Sequence, residues 1–283
     1  LMVVPEWLEA RDECIAEVER PKYADCYMAL DPGWSHLCAG LFGYWDFDNA
    51  RLVIEADFAL PRKNSREISW VIRARMWQLW GVVPRKDRRY TDEAWQEELQ
   101  HIRREELRGR PPSPPDCEAW MRWDHARAAL RQQPFRGVSD TEMRMIADLR
   151  SEHGLEFLPT PKDDRDAAIN ALRLRFQERK VLVHPRCSVL RAHLDHAIWK
   201  PNRTDFAQSD ADGHFDALAA LVYLNRNVDR QRNPNPPPEH GLSREDYMVL
   251  QTTQSSSNIA QALNQAIIGP ARREKARRNR GGR

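Results

Sequence analysis

The sequence predicts an α/β domain that opens as an antiparallel meander, and three observations carry that expectation. Cys26–Asp31 (CYMALD) is a mostly strand-forming run that ends at a carboxylate, where Pro32-Gly33-Trp34 forces the chain to turn. Leu37–Trp45 and Leu52–Phe58 follow as two more apolar runs, joined by the turn-forming Asp46-Phe47-Asp48-Asn49. From Phe135 onward, short strands alternate with helical patterns, and the order strand, acid, helix recurs.

Taken in order, Pro5–Glu19 sets Trp7, Leu8, Ile15 and Val18 among charges, the pattern of a short amphipathic helix with an acidic first turn. After the meander, Arg66–Trp80 repeats Ile68, Val71, Ile72, Met76 and Leu79 at helical spacing and stops at Gly81 and Pro84. Residues 85–133 differ in kind. They are highly charged, with one stripe of Trp95, Leu99 and Ile102, a proline-rich break at Arg110–Pro115, and a second stripe of Trp120, Trp123, Ala126 and Leu130. Two helices about a proline hinge, an inserted α-hairpin, is the economical reading. Phe135–Ser139 is then a strand ending at Asp140, Thr141–Glu152 a helix closed by Gly154, and Leu155–Leu158 another strand. Asp164–Arg179 is a helix, Val181–Val183 a short strand, and Pro185–Trp199 a segment with Cys187, Leu190, Leu194 and Ile198 buried. Finally, His214-Phe215-Asp216 opens the most apolar helix of the chain, Ala217–Asn225.

These elements define one domain over residues 1–228, with 85–133 as the insertion and 229–283 as a mostly disordered basic tail. The chain is 283 residues long and 41% apolar, enough for a substantial core. Its net charge of +2 is uneven, because Ala271–Arg283 carries seven basic residues against Glu274. A nucleic-acid surface, if present, must therefore be local. Five scattered cysteines with no CxxC pair point to reduced thiols and away from a zinc site. No run has the length of a membrane span.

Three acids stand out by position. Asp31 and Asp140 each end an apolar run, and Asp216 sits where a polar loop meets an apolar helix, so all three are pressed against a core. Turn initiation by Asp31 and helix capping by Asp216 are ordinary alternatives. Gathered together, however, such carboxylates must take up protons or be neutralised by cations. An oxygen-rich set without thiolates suits Mg²⁺ or Mn²⁺, and two such ions about 3.5–4 Å apart can activate water against a phosphodiester.

ALDPG at the end of the first strand, RGVSDTEM about the middle acid, FLPTPKDDRDAAIN, KVLVHPRC and GHFDALAALVYLNR together resemble the nuclease domain of phage terminase large subunits. The resemblance runs from about Tyr27 to Arg226 apart from the insertion. It implies a ribonuclease H-like mixed sheet with three antiparallel leading strands and helices on both faces. It also implies a two-metal endonuclease cutting concatemeric double-stranded viral DNA with little sequence preference, in the cytoplasm of the host cell. Carried over by position, Asp31, Asp140 and Asp216 become catalytic metal ligands, with His214 as a further candidate ligand or a capping residue. Lys162 and Arg136, flanking strands that would end near the acids, become candidate DNA contacts. The family pairs this nuclease with an ATPase, and no G-x-x-x-x-G-K-[ST] stretch occurs here, so an ATPase domain is expected upstream. A portal protein and a small terminase subunit are the implied partners. Two other readings stay open: a junction resolvase or transposase-like nuclease with the same acids, and a non-catalytic module that binds the portal through the tail and insertion.

Overall fold

In the computed structural model, residues 1–21, 23–33, 37–82, 90–108, 134–201, 205–207 and 214–234 are described. The described elements belong to one compact unit, Leu1–Arg232, and the tail expected over 229–283 lies outside the described residues from 235 onward. This unit holds one mixed sheet built from β1 (Cys26–Asp31), β2 (Leu37–Asp46), β3 (Arg51–Pro61), β4 (Pro134–Ser139), β5 (Leu158–Pro159) and β6 (Val181–Val183). Their order across the sheet is β5-β4-β1-β2-β3-β6. β1, β2 and β3 form the expected antiparallel meander, while β4 and β5 add in parallel beyond β1, and β6 adds in parallel beyond β3.

The position of β1 explains its composition. It pairs on both edges and is covered on both faces, so neither set of alternating side chains meets water and the strand reads as one apolar run. Tyr27 and Ala29 join one core, whereas Cys26, Met28 and Leu30 join the other. Full burial of each large apolar side chain contributes about 1.5–3 kcal/mol. One face is covered by α1 (Pro5–Cys14), α5 (Arg165–Gln177), α6 (Ser188–His196) and α7 (Asp216–Asn227). The other lies under α2 (Ser65–Trp80) and α4 (Met143–His153).

α2 starts with a capping box. Asn64 accepts the Glu67 N–H at 2.9 Å and the Glu67 carboxylate accepts the Asn64 N–H at 3.2 Å. α2 and α4 end at Gly81 and Gly154, both at φ 64°, the left-handed cap that glycine adopts without strain. Against the outer side of α2 packs α3 (Asp92–Arg108), which buries Trp95 and Ile102 beside Ala74. Glu98 of α3 is buried there and accepts from Trp70 Nε1 at 2.6 Å and Arg66 Nε at 3.0 Å. The first half of the expected hairpin is thus a helix laid over α2; its second half, with Trp120 and Trp123, lies outside the described residues.

Where β2 meets β3 the register slips at Phe42/Gly43, leaving Glu55 unpaired in the ladder. Its carboxylate accepts from Trp80 Nε1 at 3.0 Å and faces Arg20 at 3.6 Å, which holds a charge inside the fold. The β2–β3 turn is organised by Asp46. Its carboxylate accepts the N–H groups of Asp48 (3.1 Å) and Asn49 (3.2 Å), Asn49 Nδ2 (2.9 Å) and Arg51 Nε (2.8 Å). Burial alone would raise this carboxyl's pKa, but the bonds from Asn49 and Arg51 win and lower it. Asp46→Ala should therefore destabilise the protein by about 2 kcal/mol, read as a shifted urea midpoint at pH 7 with unchanged m-value.

Three expectations are corrected. The first helix stops at Cys14 rather than Glu19, because Ile15 turns extended and bridges Val183 of β6, and Leu8 is exposed. In the stretch expected as a strand from Leu155, Leu155 and Phe157 are packed into the core under α2 and α4, and only Leu158–Pro159 pairs, at the sheet edge. Ile198 is exposed; it lies past the end of α6 and bridges Met2.

Candidate active site

Parallel pairing of β1 with β4 brings two of the acids to one end of the sheet. Leu30 sits opposite Ser139, and the Asp140 N–H bonds the Leu30 carbonyl at 3.3 Å, so Asp31 and Asp140 leave adjacent strands side by side. The third acid comes from α7, which crosses β1 and β2 and begins at Asp216. His193 of α6 holds that end of the helix: its Nδ1 accepts the Ala217 N–H at 3.1 Å, and its ring meets Phe215 edge-on at 5.6 Å. A buried imidazole thus takes the role of a helix cap.

Asp31, Asp140, His214 and Asp216 line one cleft of about 320 Å³ together with Lys162, Arg165, Phe206, Tyr223 and Arg226. Each acid is held differently. Asp140 is engaged on both oxygens, by Lys162 Nζ at 2.7 Å, by Thr141 Oγ1 at 3.1 Å and by the Thr141 N–H. Asp216 Oδ2 is buried and, among the described residues, has no hydrogen-bond partner. Burial pushes the Asp216 carboxyl up to about 7. Asp31 lies well above the usual carboxylate range, because of burial first and then the charges of Asp216 and Asp140, against the opposing pull of Lys162 and Arg165. Beside it the Cys38 thiol is pushed up to about 12, chiefly by burial, so it offers no thiolate.

Among the described residues no three His, Cys, Asp or Glu side chains stand close enough to hold a metal ion as they are. The donor chemistry nonetheless fits one. Hard carboxylate oxygens line the cleft, one is buried without a partner among the described residues, and both Asp31 and Asp216 are anions that their surroundings disfavour.

Around the acids the rim is basic. Arg165 pairs with Asp205 at 2.8 Å and lies over the Phe206 ring at 4.2 Å. Arg226 donates to the Asp163 carbonyl at 2.8 Å. Of the two residues expected to contact DNA, Lys162 is in the cleft and Arg136 is not; Arg136 donates to the Asn227 carbonyl at 3.4 Å, at the far end of α7. Arg165, His193, Tyr223 and Arg226 are site residues that the sequence reading did not single out. A signal for two of them is present: Asp216, Ala219, Tyr223 and Arg226 fall at spacings of three and four, one stripe of a helix. His193 has no such signal, since only the packing of α6 on α7 gives it a role.

A mixed sheet led by three antiparallel strands, a parallel fourth strand beside the first, and acids at the ends of both are the features of a ribonuclease H-like fold. No family model and no curated protein matches the chain. Among solved structures it is similar to the large terminase of a thermophilic bacteriophage, at a TM-score of 0.47 and 14% identity over 80% of this chain and 45% of that one. It thus spans a little under half of that protein. It is also similar to the large terminase nuclease domain of phage P22, at a TM-score of 0.42 and 14% identity over 79% of this chain and 94% of that one. The manganese-bound large terminase nuclease domain of bacteriophage SPP1 matches at a TM-score of 0.40 and 10% identity, over 76% and 93%. No helix among the described residues is long and apolar enough to cross a membrane.

Proposed function

We propose that this chain is a metal-dependent endonuclease that cuts double-stranded DNA during viral genome packaging, with Asp31, Asp140 and Asp216 as its metal-holding acids. The observation that carries the reading is the cleft itself. Three carboxylates from distant parts of the chain line it, and one of their oxygens is buried without a partner among the described residues. Such an arrangement costs stability unless a cation neutralises it. Two Mg²⁺ or Mn²⁺ ions bound there would supply an activated water and stabilise the leaving oxygen of the phosphodiester.

The chain's own residues do the rest. Asp31 and Asp140 leave adjacent strands whose hydrogen bonding fixes their separation, and His193 anchors the helix end that carries Asp216. His214 lines the cleft wall and would join the ligand set or orient it. Lys162, Arg165 and Arg226 ring the acids with positive charge that matches a DNA backbone, which carries no base sequence. As a packaging nuclease it would act beside an ATPase domain of the same protein, a portal and a small terminase subunit.

Supercoiled plasmid is expected to be nicked and linearised in Mn²⁺ or Mg²⁺ and left intact in EDTA, with linear duplex cut at dispersed positions. No metal-dependent cutting of any DNA would refute the reading. Cutting confined to four-way junctions would favour a resolvase instead.

A further inference from the structure

The three acids of the cleft are satisfied in different ways. Asp216 keeps a buried oxygen that has no partner among the described residues, whereas both oxygens of Asp140 are taken, with Lys162 Nζ 2.7 Å from each. The other cleft cations are tied elsewhere, Arg165 to Asp205 and Arg226 to Asp163. Lys162 is therefore placed where a cation bound to Asp140 would have to be.

The backbone beneath this lysine is anchored. Two residues earlier, the Thr160 N–H bonds the Ser139 carbonyl at 2.8 Å and its hydroxyl accepts from Asn227 Nδ2 at 3.0 Å. The side chain itself is 54% exposed. A fixed base with a flexible four-carbon arm lets the ammonium leave one anion for another without moving the fold.

We propose that Lys162 is a built-in counter-ion at Asp140, displaced when a divalent cation binds there, and that its freed ammonium then takes a phosphate of the DNA. Metal loading and backbone grip are thereby coupled, since each metal bound releases a positive charge into the cleft. This inference rests on the metal-site reading above, and its test separates the two.

Mn²⁺ affinity is measured by calorimetry without DNA for the wild-type chain, Lys162→Met and Arg165→Met. Lys162→Met is expected to bind Mn²⁺ about threefold to tenfold more tightly, the scale of one partly exposed ion pair. Arg165→Met removes the same charge from the same cleft, but Arg165 pairs with Asp205 and acts on Asp31 only through its charge, so this variant is expected to gain clearly less than Lys162→Met. In Ca²⁺, where metal is bound, Lys162→Met is expected to bind duplex DNA several-fold more weakly. Unchanged or weaker Mn²⁺ binding in Lys162→Met overturns the displacement while leaving the metal site intact, and so does an equal gain in Arg165→Met. If neither the wild-type chain nor Lys162→Met binds Mn²⁺, the metal site fails and the proposal with it.

Discussion

Asp31→Asn is expected to lower Mn²⁺-dependent plasmid cleavage on the order of 10³-fold or more while raising the melting temperature of the metal-free protein. Both effects have one cause. Asp31 sits among Asp140 and Asp216 in a buried setting that disfavours its charge. A neutral amide of nearly the same shape removes that repulsion and, with it, the anionic oxygen a hard cation requires. The gain should be about 1–2 kcal/mol, or a few degrees for a domain of this size, and should vanish when saturating Mn²⁺ stabilises the wild-type chain alone. A merely structural aspartate predicts the reverse, with lower stability and cleavage falling only in step with it. Calorimetric melting in EDTA and in Mn²⁺, beside the cleavage assay, decides between them.

The second large effect is a pH dependence that metal should erase. Asp216 is pushed up to about 7 by burial, against 3.8 for an ordinary aspartate. Between those values the folded chain keeps a proton that the unfolded chain has lost. Stability from this group is therefore full below about pH 4 and falls as pH rises toward 7. A shift of this size corresponds to about 4 kcal/mol at about 1.4 kcal/mol per unit, and partial exposure of the carboxyl reduces it to about 2. Urea unfolding in EDTA should accordingly show the wild-type chain losing about 2 kcal/mol more than Asp216→Asn between pH 4.5 and 7.5. Mn²⁺ should close the gap by stabilising the ionised wild-type site. Parallel pH profiles for the two chains in EDTA would show that the fold does not penalise this charge.

Much of this was legible in the sequence for identifiable reasons. The meander could be read because β1 lies in the middle of the sheet, where doubly buried strands become uninterrupted apolar runs. Two of the acids could be read because Asp31 ends β1 and Asp140 directly follows β4, and the third because Asp216 opens the most apolar helix. Arg136 misled for the converse reason. Four residues before Asp140 is close in sequence, but a strand advances about 3.3 Å per residue, which puts it roughly 13 Å away along β4, near the other end of α7. The segment before β5 misled because Leu155 and Phe157 are buried by packing rather than by pairing, and alternation alone does not distinguish the two. His193 was invisible because its partner, the Ala217 N–H, is a backbone group that every sequence contains.

The last of the three acids to be synthesised is the one at the head of α7, and the helix it begins is also the lid over β1 and β2. A ribosome that has released only the meander and β4 has therefore made two of the carboxylates but not the surface that confines them. Copies that end before α7 should lack the closed cleft, and the three carboxylates come together only once that helix has been made.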